Sequence, residues 1–174
     1  MKAVNLFLLA SIIGIELILG IVVAPAIFFP QNLIGEGVLS HFQSGLMMTQ
    51  IFIKMGYLLI FVSVVNFLYE IYSLIKDEMK FQIKFSKFIL SLLILILSLI
   101  FVFYFTNTII DLQNLGESAT KTQEFISIHN ASETVIKIIL IMQVFLYFLS
   151  FKIAKNDKIL NKFKNREGVG HDDL

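Results

Sequence analysis

No cysteine occurs in the 174 residues of the chain, and only 16% of them are aspartate, glutamate, lysine or arginine. The first absence excludes disulfides, thiolate metal sites and cysteine nucleophiles together, and it leaves the redox compartment unmarked. The second sets the chain apart from soluble domains, in which about a quarter of residues are charged and about half are apolar. Here 57% are apolar and the mean hydropathy is +0.83. There is no Gly-rich phosphate loop, no HExxH metalloprotease helix and no GxSxG nucleophile elbow. No enzymatic activity and no cofactor is therefore expected. Strand alternation is also missing, which removes a membrane barrel, and no internal repeat or low-complexity tract divides the chain.

What remains is apolar sequence in long runs. A helix that crosses the ~30 Å hydrocarbon core needs about 20 mostly apolar residues. Residues 3–29, 46–75, 88–110 and 131–154 meet that requirement. Inside lipid each backbone N–H and C=O needs a partner within the protein, which a helix supplies unaided. The expected fold is all-α: a four-span transmembrane domain over residues 1–154, followed by a charged tail over 155–174 that is expected to be partly disordered. The first run is too long for a signal-peptide core, so it is read as a retained helix although Ala24-Pro25-Ala26 imitates a cleavage site. Pro25 is expected to kink that helix near its end and Pro30 to terminate it.

The basic residues are sided. Lys2, Lys76, Lys80, Lys84, Lys87, Lys152, Lys155, Lys158, Lys162, Lys164 and Arg166 fall on one side of a four-span arrangement, and Lys121 lies in a loop on the other. The positive-inside rule then puts both termini and the middle loop in the cytoplasm. The expected location is the cytoplasmic (inner) membrane of a bacterium. Tyr69, Tyr72 and Tyr104 suit the two interfaces. The basic loop and tail are expected to meet anionic lipids rather than nucleic acid.

Ionisable groups within the bilayer cost about 2.5 kcal/mol or more each and generally face a protein interior or water. Glu16 is the deepest, about 20 Å along its helix from Lys2. It shares a face with Gly20 and Ala24, small residues that would let another helix approach closely. Glu16 reads either as a proton or cation site or as a protonated or lysine-paired acid that fixes packing. Lys54 lies about 12 Å inside the outer end of the second span and Lys137 about 9 Å inside that of the fourth. Each either snorkels outward or pairs with Glu16 or Glu133. In the fourth span His129-x-x-x-Glu133-x-x-x-Lys137 places three groups on one helix face. Asn130-Ala131-Ser132-Glu133 also resembles a capping box, which is the structural reading of the same residues. His41 and His129 lie on the same side of the membrane and are weak candidates for a shared metal or haem. Met47, Met48 and Met55 lie nearby, either as soft ligands or as apolar filler. Gln50, Asn107 and Gln143 are expected to turn toward the bundle interior.

Three stretches carry a family resemblance. They are Gly20-Ile21-Val22-Val23-Ala24-Pro25-Ala26-Ile27-Phe28, Phe42 through Lys54 (FQSGLMMTQIFIK), and Phe125-Ile126-Ser127-Ile128-His129-Asn130-Ala131-Ser132. They resemble the transmembrane protein 205-like domain of unknown function (domain 4149). The resemblance runs from the first span through the fourth and implies a four-helix membrane protein in which Pro25, Phe28, Lys54 and His129 are the carried positions. It implies no reaction. The middle loop and tail depart from it.

Three functions are consistent with these residues. The first is transport or ion handling through an intramembrane polar cluster of Glu16, Lys54, His129, Glu133 and Lys137, lining a cavity open to the outside, with a homo-oligomer completing the path. The second is a structural or accessory subunit in which the same groups lock helices together. The third is a haem- or metal-binding protein using His41 and His129.

Overall fold

The computed structural model describes residues 1–31, 35, 37–76 and 80–168, with side chains described through residue 153. Four helices make up the bundle: α1 (Lys2–Phe28), α2 (His41–Lys76), α3 (Phe81–Asn114) and α4 (Gln123–Gly168). All four are long and apolar enough to cross a membrane, α4 over Gln123–Ile153. They run alternately up and down, and each helix packs against its two chain neighbours, with α4 closing the ring on α1. The N-terminus and the α2–α3 turn therefore lie at one end, called here the terminal end. The α1–α2 and α3–α4 connections lie at the far end.

Local signals set the helix limits, and they start α2, α3 and α4 earlier than the apolar runs do. Ser40 and Gln43 form a reciprocal capping box, the Ser40 N–H donating to Gln43 Oε1 at 2.9 Å and the Gln43 N–H to Ser40 Oγ at 3.1 Å. α2 consequently begins at His41, and His41 sits on its first turn rather than in a loop. At α4 the Phe125 N–H donates to Thr122 Oγ1 at 3.3 Å. Thr122, not Asn130, is the capping side chain, so His129 lies inside the helix. α3 ends where Gly116 takes φ +100°, a left-handed turn that glycine adopts without strain. α4 continues as helix through Gly168, into the stretch read as a tail; residues 169–174 lie outside the described residues.

Both π-helical turns lie on the far side of mid-bundle. Pro25 lacks an N–H, and its ring crowds the carbonyl four residues back. The preceding turn, Leu19–Val23, widens to a π-helix, and the Ala24 N–H bonds to the Leu19 carbonyl. The kink expected at Pro25 takes this form. α3 widens likewise over Phe101–Thr106, where Thr106 Oγ1 donates to the Phe101 carbonyl at 3.0 Å.

The bundle is apolar outside and substantially polar within. Among the described residues fifteen buried side chains are polar or charged and thirteen are apolar, while Phe7, Ile21, Tyr57, Phe61, Phe103, Phe145 and Phe148 are each more than half exposed. A soluble bundle with this surface would aggregate. A bilayer turns the same surface into the favourable one, and the protein is an integral membrane protein. The apolar core runs through Leu9, Ile12, Met55, Leu59, Val62, Ile94, Phe101, Val102, Ile139 and Leu146. Among the described glycines Gly56 is the most closely packed, since a Cβ there would stand 2.9 Å from Val102 Cγ2. That glycine lets α2 and α3 approach closely.

Candidate functional site

A cavity of about 610 Å³ occupies the far half of the bundle. Its walls come from all four helices: Glu16, Gly20, Ile21 and Ala24 of α1, Phe42, Met48, Phe52 and Met55 of α2, Phe101, Thr106 and Gln113 of α3, and Phe125, His129, Glu133, Ile136 and Lys137 of α4. The space exists because α1 departs from α4. Residues 2–18 of α1 pack on α4, but its last turn, Ala24–Phe28, packs on α2. Neither the π turn nor that last turn buries a single residue. Both π turns contribute to the wall, through Leu19, Gly20 and Ile21 on α1 and through Phe101 and Thr106 on α3. Wide turns of this kind recur at functional sites.

Glu16 is the chemical feature of the cavity. Its side chain is 7% exposed, and neither carboxyl oxygen has a hydrogen-bond partner. The Gln143 amide, itself 1% exposed, stands beside it, near enough to interact but outside hydrogen-bond geometry. A carboxylate in such surroundings is costly unless it meets a cation or a proton. By helix rise Glu16 is about 18 Å from the far end of α1. The cavity brings open space to it at that depth.

On α4 the three groups read as one face do meet. Lys137 Nζ is 2.9 Å from Glu133 Oε2, and His129 Nε2 is 3.4 Å from Glu133 Oε1. His129 also stacks on Phe125, with ring centroids 5.8 Å apart. All three side chains are between 43% and 68% exposed, so they stand at the open edge of the cavity rather than on its floor. His41 reaches the rim from α2, its ring 5.3 Å from that of Phe28. His41 and His129 thus line one cavity, but no group of three histidine or carboxylate ligands able to hold a metal occurs among the described residues.

Other expectations are corrected. Of the two readings of Lys54, its exposure fits the outward one, and the pairing with Glu16 is not found: Lys54 lies outside the cavity wall, on the α2 face that carries Tyr57 and Phe61. Gly20 has no helix against it, since a Cβ there would meet nothing within 4 Å. Gly20 and Ala24 border the cavity instead, and Pro25 is exposed beside them. Of the three amides expected inside, Gln143 is buried while Gln50 and Asn107 are exposed. Met48 and Met55 face the cavity and Met47 does not.

A second polar site went unread in the sequence. In the terminal half Lys87 Nζ is 2.9 Å from Glu70 Oε2, with side chains 2% and 1% exposed. Lys87 also stands over the Tyr69 ring at 5.7 Å. One turn further in, Asn66 Nδ2 donates to Asn5 Oδ1 at 3.2 Å, and Ser63 and Ser98 share a hydrogen bond at 3.1 Å. The available signal was spacing: Asn66, Glu70 and Ser73 recur at three and four residues on one face of α2. In the sequence Lys87 reads as one of the loop lysines, which hides its partner.

Among known proteins, a family model described as "Domain of unknown function (DUF4149)" matches residues 7–118. That stretch holds Glu16, Lys54 and both members of the Glu70–Lys87 pair, and it stops before α4. No curated protein and no solved structure matches the chain.

Proposed function

The chain belongs to the family described as a domain of unknown function (DUF4149), a description that assigns no activity, and from its geometry we propose that it binds and moves a small solute or ion through the cavity of its far half. The observation that carries this reading is Glu16, a buried carboxyl without a hydrogen-bond partner in the wall of a cavity of about 610 Å³. A buried acid that locks helices would be expected to meet a cation, as Glu70 meets Lys87, whereas Glu16 has the neutral Gln143 amide beside it. The rim of His129, Glu133 and Lys137 supplies exchangeable polar contacts on the approach to Glu16. The closed terminal half blocks a continuous path, so passage requires a rearrangement or a homo-oligomer.

The lysine asymmetry supports cytoplasmic termini in a bacterial inner membrane, with the cavity facing outward and the basic end against anionic lipids. The likeness to transmembrane protein 205-like proteins, carried by the VAPxxF ending of α1 and by His129, implies a four-helix membrane protein and adds no activity. The test is flux. Purified protein in liposomes should dissipate a proton or monovalent-cation gradient faster than empty liposomes, and Glu16→Gln should abolish the difference. Equal flux in the two proteins would remove Glu16 from the path. Flux indistinguishable from empty liposomes for the wild type would end the transport reading.

A further inference from the structure

The cavity has a direction and a lining, and both bear on what it holds. Its long edges are the diverging halves of α1 and α4. Leu17 and Ile21 stand on one edge, 41% and 69% exposed, and Ile136 and Leu140 on the other. This gap opens sideways, across surface that elsewhere in the bundle faces lipid. The polar rim of His41, His129, Glu133 and Lys137 lies toward the far end. A molecule lying at the bilayer interface would therefore meet apolar edges below and charged groups above.

Inside, the lining is aromatic and apolar. Phe28, Phe42, Phe52, Phe101 and Phe125 present rings, and Met48 and Met55 present adaptable thioethers. Ring faces attract cations, more strongly where water is excluded. The ionisable group held within this lining is the Glu16 carboxyl, 7% exposed and without a hydrogen-bond partner, which carries its charge when a cation sits against it. The Lys137 ammonium is already engaged by Glu133 at 2.9 Å. A small hydrated metal ion would leave the aromatic walls unused, and no set of three ligands awaits it among the described residues. An anion would meet a carboxyl at the floor and, among the described residues, no cation to pair with there. The volume lies within the ~300–1,000 Å³ usual for small organic ligands.

We propose that the cavity binds a lipophilic organic cation, with Glu16 as its counter-ion, and that the cation enters sideways from the bilayer through the gap between α1 and α4. This assignment rests on the cavity being a binding site, as proposed above, and adds the ligand class and its route. The apolar body of the ligand packs on the phenylalanines while its charge reaches Glu16. The ligand is drawn from the membrane, where such molecules concentrate.

Tetraphenylphosphonium and tetraphenylborate test the idea, because the two ions match in shape and differ in sign. Full-length protein in nanodiscs, titrated with each, should bind the phosphonium saturably at one site and the borate not at all. Glu16→Gln should weaken phosphonium binding roughly tenfold or more, as expected when one member of a buried charge pair is removed. Gly20→Phe provides an independent variant in case Glu16→Gln does not fold. Its side chain starts where a Cβ meets nothing within 4 Å, so it should fill the gap, keep the fold and block binding. Equal binding of both ions, or undiminished phosphonium binding by folded Glu16→Gln or Gly20→Phe, would overturn the assignment. Phosphonium binding without ion flux would remove transport and leave the ligand class standing. Flux without phosphonium binding would do the reverse.

Discussion

The two halves of the bundle treat a buried glutamate in opposite ways. In the terminal half Glu70 meets Lys87 at 2.9 Å, both side chains at most 2% exposed, and asparagine and serine pairs close the layers beyond. In the far half Glu16 is nearly as buried, yet it has no hydrogen-bond partner and borders a cavity of about 610 Å³. The backbone adds a contrast across the cavity itself: α2 and α3 approach at Gly56, close enough that a Cβ would press on Val102, while Gly20 of α1 faces open space. In the first half the buried carboxylate meets a cation in closed packing. In the second the buried carboxyl borders open space, and that access is what distinguishes a site from a scaffold.

The largest expected effect lies in the closed half. Removing one member of a buried ion pair strands the other and typically costs about 3–5 kcal/mol, whereas replacing both with apolar groups can be nearly neutral. Glu70→Gln and Lys87→Met should each lower the melting temperature sharply in detergent, and the Glu70→Leu/Lys87→Met double variant should recover most of the loss. Additive losses in the double variant would show that the pair does not act as a unit. The contrast between the halves would then rest on packing alone.

Packing sets the next effect. Gly56→Leu drives a side chain into Val102 and should cost about 1–3 kcal/mol, as overpacking does. Gly20→Leu should leave the melting temperature close to wild type, because nothing lies within 4 Å of its Cβ. The sequence points the other way: Gly20, Ala24 and Glu16 share a face in a small-residue spacing, whereas Gly56 carries no such repeat. A melting temperature lowered equally by both substitutions would mean that the far half is closed around Gly20.

Glu16→Gln should change stability by less than about 1 kcal/mol, within the range of substitutions that break no partnership. The measurement is unfolding of the purified variant beside Glu70→Gln. Two buried glutamates with losses of similar size would erase the comparison, since Glu16 would then have a structural partner of its own.

These contrasts also separate what the sequence makes legible from what it does not. Four spans and their order follow from apolar runs, since the bilayer fixes the length that a span needs. Glu16 stood out because an acid in such a run has few explanations, and the His129–Glu133–Lys137 face followed from a spacing of four. Partnerships between helices were harder to read. Lys54 is drawn toward Glu16 by depth alone, but the rotation of α2 turns it outward beside Tyr57 and Phe61. Lys87 is written among loop lysines, and only the early start of α3 at Phe81 brings it inside to Glu70. The cavity itself depends on α1 leaving α4 after the widened turn at Leu19–Val23, and Pro25 signals a distortion without saying which neighbour is lost.

The smallest expected effect lies at the rim. Lys137 and Glu133 are close, but their side chains are 68% and 49% exposed, so water and ions screen them. A helix pair of this kind contributes about 0.3–0.5 kcal/mol. Lys137→Met should therefore shift the unfolding midpoint only slightly, and Glu133→Gln in the same background should add almost nothing. The small size is itself informative, because the distance is the same 2.9 Å as in the Glu70–Lys87 pair. What differs is access to solvent. If Lys137→Met instead costs as much as Lys87→Met, solvent does not reach Glu133, and the far half is as closed as the terminal half. Adding salt separates the cases further: the rim pair should weaken as ionic strength rises, while the Glu70–Lys87 pair, out of reach of mobile ions, should not.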